Sequence, residues 1–176
     1  MATTLVSSAL QVNLIASSTS PAGAGVASFA SNVVVRNARV NGTSAPAGNV
    51  NASYKGTVSA GSPVSIDLTS AFVGPDGAVA FTKILDMVIQ NQSVTSGNDL
   101  VIGDSTGAIS NEWTAPFGAA TGTVLAQAGA AAGQPTGVVV LSGPLGFAVD
   151  STHKILTITA SAGTNVPFTI EVVGIN

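Results

Sequence analysis

The chain has 176 residues, 45% of them hydrophobic and only 7% charged, with no cysteine and a net charge of -3. That length holds one domain with its own core, and the missing cysteines exclude disulfides, thiolate metal sites and thiol catalysis. Five scattered basic residues make no clustered cationic footprint, which argues against nucleic-acid binding, and no apolar run has the length that spans a bilayer.

Residues 1–50 are rich in Ala, Ser, Gly, Thr and Asn, with one apolar burst at Asn32-Val33-Val34-Val35-Arg36. They read as an extended arm with one or two strands, suited to holding onto neighbours. The first residues carry no Lys or Arg, so the positive region of a secretory signal is missing. Arg36 and Arg39 form the closest basic pair, and on an alternating strand they face opposite sides.

From Tyr54 onward, short β-branched runs alternate with turn signals. The predicted strands are Tyr54–Ala60, Val64–Leu68, Val79–Gln90, Asp99–Ile102, Thr123–Gln127, Val138–Ser142, Phe147–Asp150, Lys154–Ala160 and Pro167–Val173. Turns are expected at Gly74-Pro75-Asp76-Gly77, Ser96-Gly97-Asn98-Asp99, Gly133–Gly137 and Ser142–Gly146, where glycine or proline supplies the backbone angles that tight turns need. Residues 80–90, AFTKILDMVIQ, could instead form a helix with Ile84, Met87 and Val88 on one face, although the Ile and Val content favours a strand. Val124–Ala132 could end in a short helical turn. The sum is an all-β protein, an antiparallel β-sandwich of jelly-roll-like form over residues 51–176, with the arm at 1–50. The residues expected to pack it are Phe72, Phe81, Leu85, Ile89, Trp113, Phe117, Phe147, Ile158, Phe168 and Ile170.

Several short motifs invite a chemical reading. Gly103-Asp104-Ser105 resembles the nucleophile segment of GDS-type lipases and esterases, and Asp150-Ser151-Thr152-His153 resembles their Asp-x-x-His. Those enzymes place the serine at the start of a helix, near the N-terminus and far ahead of the histidine. Here the sequence after Ser105, Thr106-Gly107-Ala108-Ile109-Ser110, offers no helix-forming stretch, and Ser105 and His153 lie too close in sequence for the intervening elements. The competing reading is a polar turn in which Asp104 and Ser105 bond their own backbone.

His153 is the single histidine, and beside Lys154 it reads as a solvated edge residue. Asn98, Asp99 and Asp104 could offer oxygen ligands to calcium, but without EF-hand spacing. The sequons at Asn41, Asn51 and Asn91 read as compositional coincidence. Trp113 is either a sugar-stacking platform or, the favoured reading, an anchor of a core or subunit contact. No catalytic, cofactor-binding or metal-binding residues are expected.

The C-terminal two thirds carries a further pattern. It runs Phe81-Thr82-Lys83-Ile84, Val88-Ile89-Gln90-Asn91 and Gly97-Asn98-Asp99-Leu100-Val101-Ile102-Gly103. It continues through Asn111-Glu112-Trp113-Thr114-Ala115-Pro116-Phe117-Gly118 to Leu156-Thr157-Ile158-Thr159-Ala160 and Val166–Gly174. Over residues 64–176 this resembles small structural proteins encoded among the virion genes of tailed bacteriophages. It departs from them at Gly103-Asp104-Ser105, where small neutral residues are more common. The resemblance implies a non-enzymatic virion component assembled in the host cytoplasm, of the capsid-decoration (cement) type. Its expected partners are the major capsid protein or other virion proteins and further copies of itself, usually as trimers; no nucleic acid, membrane or cofactor is expected. A tail, head-fibre or receptor-binding module with a glycan-binding face near Trp113 is the alternative, followed by the serine esterase. A cell-surface or pilus-like bacterial protein is a weaker reading, disfavoured by the missing signal peptide.

Overall fold

The computed structural model describes residues 7–22, 25–40, 48–59, 62–103, 108–118, 123–129, 136–161 and 164–176, the first two segments at backbone level. Its twelve strands are β1 (Ser7–Ala22), β2 (Gly25–Val40), β3 (Val50–Val58), β4 (Val64–Asp67), β5 (Phe72–Gly74), β6 (Gly77–Val79), β7 (Lys83–Asn91), β8 (Leu100–Ile102), β9 (Val124–Ala126), β10 (Val138–Ala148), β11 (Ile155–Ala160) and β12 (Val166–Ile175). The described residues hold no helix, and every pair of named strands runs antiparallel.

Strands β1 and β2 form a sheet of their own, a hairpin of two 16-residue strands in which Ser7 faces Val40 and Ala22 faces Gly25. The remaining strands make a β-sandwich. One sheet has the order β10-β7-β12-β3-β5-β6, the other β4-β11-β8-β9. Alternation along β12 explains the layering. Val166, Phe168, Ile170 and Val172 are buried while Pro167 and Glu171 are exposed, as the two-residue period of a strand requires. Leu156, Ile158 and Ala160 of β11 supply the facing layer, with Leu100 and Ile102 of β8.

Aromatic rings fill the space between the sheets. Phe72 meets Phe81 edge-on at 5.5 Å, and Tyr54 stacks on Phe168 at 5.9 Å. Phe168 lies directly opposite Gly56 in the β12–β3 register, and a Cβ on Gly56 would come within 2.7 Å of its ring. The glycine leaves room for the ring to lie across the neighbouring strand. Eight of the ten expected packing residues are fully buried; Phe117 and Phe147 are partly buried and pack against the core.

Two expectations need correction, the unbroken strand over Val79–Gln90 and the turn at Ser142–Gly146, while the expected turn at Gly74–Gly77 joins two strands that were not foreseen. The strand over Val79–Gln90 is interrupted, because β6 is an edge strand and β7 lies beyond β12 on the other side of the sheet. The chain must cross there, anchored by Phe81, whose N–H donates to the Leu68 carbonyl, and by Thr82, whose N–H donates to Ile175. The helical alternative for 80–90 is excluded, since β7 pairs along its length with both β10 and β12. Phe72–Gly74 and Gly77–Val79 pair across a two-residue Pro75-Asp76 turn, a hairpin whose strands are too short to show a period. Finally, Ser142–Gly146 is no turn between separate strands. Ser142 faces Asp86 and Phe147 faces Ile84, so residues 143–146 loop out of the continuous strand β10 opposite Leu85 alone.

That bulge depends on Gly146, which has φ of 70° and where a Cβ would sit 2.7 Å from the Leu85 side chain. Strand β12 accommodates Leu85 in the same way, with Val173 opposite Asp86 and Gly174 opposite Ile84.

Candidate interaction surface

The Asp-x-x-His segment forms the tight turn between β10 and β11. Asp150 Oδ1 accepts the Thr152 N–H at 2.7 Å, the Thr152 hydroxyl at 2.7 Å and the His153 N–H at 2.9 Å. The Thr152 hydroxyl, together with the Thr152 and His153 donors, holds the Asp150 carboxyl down at about 2 against a small opposing effect of desolvation. His153 Nδ1 lies 3.2 Å from the same carboxylate, with both side chains about half exposed. The carboxylate oxygen is thus occupied in building its own turn. Asp104 and Ser105, the other half of the motif, lie outside the described residues.

Trp113 is 0% exposed. Its indole N–H donates to the Ala148 carbonyl at 2.7 Å, and its ring meets Phe117 and Phe147 edge-on at 6.5 and 6.0 Å. Of the two readings of this residue the core anchor is the correct one, because a ring with no exposed face offers no sugar platform.

Asn91 is also fully buried. Its side chain donates to the Asn98 and Ala126 carbonyls at 2.9 and 3.0 Å and accepts the Ser93 N–H at 2.8 Å, which fastens the loop after β7 to β9. A glycan on Asn91 would have to displace that network. Asn51 is exposed, and Asn41 lies outside the described residues. Of the oxygen ligands considered for calcium, Asp99 Oδ1 accepts the Ala128 N–H at 2.8 Å, the Asn98 side chain donates its N–H to Thr164 at 3.1 Å, and Asp104 lies outside the described residues. Among the described residues no three His, Asp or Glu side chains gather where they could hold a metal.

What the surface does offer is aliphatic. Leu145 at the tip of the bulge is 74% exposed, Val138 50%, Val140 38% and Val73 59%. The register aligns Val138, Val140 and Val73 across the outer face of the six-stranded sheet. One row reads Val140, Val88, Glu171, Ser53 and Val73, and the row beside it Val138, Gln90, Thr169 and Lys55. Asn51, Ser53, Val73, Pro75 and the exposed Glu171 border a shallow cleft of about 390 Å³ on this face. Such a surface joins apolar contact area to one exposed carboxylate, Glu171, and open backbone edges, features suited to contact with another protein.

Position along a strand does not by itself say which face looks inward, so this surface could not be read from the sequence alone. Its signal was the repeated Val-x-Val spacing at Val138–Val140 followed by an interrupted apolar run. Comparisons with protein-family models, with curated proteins and with solved structures give no match.

Proposed function

We propose that this chain is a non-enzymatic structural protein of a bacteriophage virion, a cement protein that binds the outside of the head through subunit–subunit contacts. The observation that carries the reading is the outer face of the six-stranded sheet. It exposes Val73, Val138 and Val140 on a protein in which only 7% of residues are charged. A free surface is ordinarily rich in mixed charge, and a surface poor in it is suited to being covered. Contacts of this kind hold through changes of salt that would screen ion pairs. The resemblance of residues 64–176 to virion structural proteins points the same way.

The β-sandwich supplies a rigid support for such contacts, and the hairpin of β1 and β2 a means of reaching a neighbour. The partners in this reading are the major capsid protein and further copies of this chain, in a trimer on the particle. The buried ring of Trp113 removes the feature that favoured a glycan-binding module.

A mass-spectrometric inventory of purified particles tests the proposal. It should contain this chain in a fixed ratio to the major capsid protein, and particles lacking it should open at lower temperature. A chain absent from purified particles, or present with no effect on their stability, would overturn the reading.

A further inference from the structure

Charge is divided unevenly along the chain. Residues 1–50 hold Arg36 and Arg39 and no acidic residue, a net +2; residues 51–176 hold three lysines against eight carboxylates, a net -5. The hairpin register adds a second asymmetry. Positions Leu10, Val12 and Leu14 of β1 share one face of the ribbon with Val33, Val35 and Arg39 of β2, whereas Arg36, opposite Gln11, belongs to the other face. One face thus combines an aliphatic stripe with a cation near its end. On the outer face of the six-stranded sheet, Val140 and Val88 stand in line with Glu171, the complementary arrangement.

A two-stranded ribbon is at best marginally stable in water and gains from covering an apolar face. Both hairpin strands pair only with each other among the described residues. Sixteen residues at about 3.3 Å each extend roughly 50 Å, against roughly 33 Å for the 10 residues of β12, the longest strand in the sandwich without a looped-out segment. The ribbon therefore outreaches the sheet face of its own chain.

We propose that the apolar face of this hairpin docks on the outer face of the six-stranded sheet of a second copy, with Arg39 of one copy set against Glu171 of the other. Val73 and Pro75 border the same cleft as Glu171. The valines provide contact area, and the ion pair sets the register. This names the surface by which copies associate in the cement reading, yet it does not require that the particle be a virion.

The absence of cysteine allows a direct test on the full-length chain. Two tagged forms, one with Val12→Cys and one with Val140→Cys, are mixed and oxidised. A disulfide-linked species carrying both tags is expected. In sedimentation experiments Glu171→Arg should weaken self-association about tenfold, and pairing it with Arg39→Glu should restore most of the loss. Glu171 is exposed, so the variant should keep the circular dichroism of the parent. The inference is overturned if the full-length chain stays monomeric at its highest soluble concentration. It is equally overturned if the bond forms only within a doubly substituted chain, or if neither charge reversal changes association. Particle composition is read separately. A chain that self-docks but is missing from particles sinks the cement reading alone, and a monomer found in particles sinks only this one.

Discussion

Replacing Trp113 with alanine tests how the two sheets are held together at one end of the sandwich. The side chain is fully buried, so the substitution leaves a cavity in the core, a change that costs about 3–5 kcal/mol for a large aromatic. The Ala148 carbonyl also loses its donor; Ala148 is exposed and water can take the donor's place, so this adds only about 0.5–1.5 kcal/mol. The edge contacts with Phe117 and Phe147 disappear too, but their worth overlaps with the cavity term and is not added again. The expected loss is about 4–6 kcal/mol, a large part of the ~5–15 kcal/mol that stabilises a typical domain. With a urea slope of roughly 1.5 kcal/mol per molar, the midpoint falls by about 3 M. Trp113→Phe keeps most of the volume and loses the donor, so it should cost about 1–3 kcal/mol. Circular dichroism in urea measures both, while emission from the single tryptophan of the parent should be blue-shifted when folded and red-shifted on unfolding. If Trp113→Ala lost less than about 1 kcal/mol, the assignment of this ring to the core would be refuted.

Other outcomes can be checked in the same way. Gly146→Val should destabilise by about 1–3 kcal/mol, because it combines a positive φ with a clash against Leu85; thermal melts that matched the parent would show that the bulge tolerates a side chain. Asn91→Ala leaves the Asn98 and Ala126 carbonyls and the Ser93 N–H without their partner, a loss of about 2–4 kcal/mol with faster hydrogen exchange in the loop after β7. The Asp150 carboxyl has a folded-state pKa of about 2, below its ordinary 3.8, so its turn stabilises the protein fully above pH 4 and progressively less as pH falls toward 2. An NMR titration of Asp150 with a midpoint near 3.8 would contradict that geometry. Deleting residues 1–47 should leave the sandwich folded, with a cooperative thermal transition and the buried-tryptophan emission of the parent, but unable to associate with other copies; a truncated chain that assembles as the parent does would remove the hairpin from the interface.

Much of the sandwich was legible because burial writes a two-residue period into strands such as β11 and β12. Lys154–Ala160 and Pro167–Val173 were read within one or two residues for that reason. Where the period fails, the reading fails with it. In β7, Ile84, Leu85, Asp86 and Met87 are all buried, because the Leu85 bulge and the loop of 143–146 cover the outer face there. A run buried on both sides gives no alternation to separate strand from helix. Glycine and proline at 142–146 signal a turn locally, yet the pairing of β10 with β7 on both sides overrides that signal. Asp150 and His153 were recognisable as a motif, but only their mutual hydrogen bonds show how the segment builds a turn. The exposed aliphatic face was hidden for a different reason: it depends on which strands become neighbours, and that is decided by pairings far apart in sequence.

The pairing of β3 with β12 has a consequence for how the protein is made. Val50 lies opposite Gly174, and the Asn49 N–H donates to the Gly174 carbonyl at 3.0 Å. The centre of the six-stranded sheet therefore joins residues separated by more than a hundred positions, a topology that folds slowly. A ribosome adding roughly 5–20 residues each second holds β3 without its partner for several seconds. During that interval Ala52, Tyr54 and Val58 await the strand that covers them. Expression should thus depend on chaperone supply more steeply than the native stability alone would suggest, and a stop codon shortly before Val166 should yield aggregate instead of a smaller folded product.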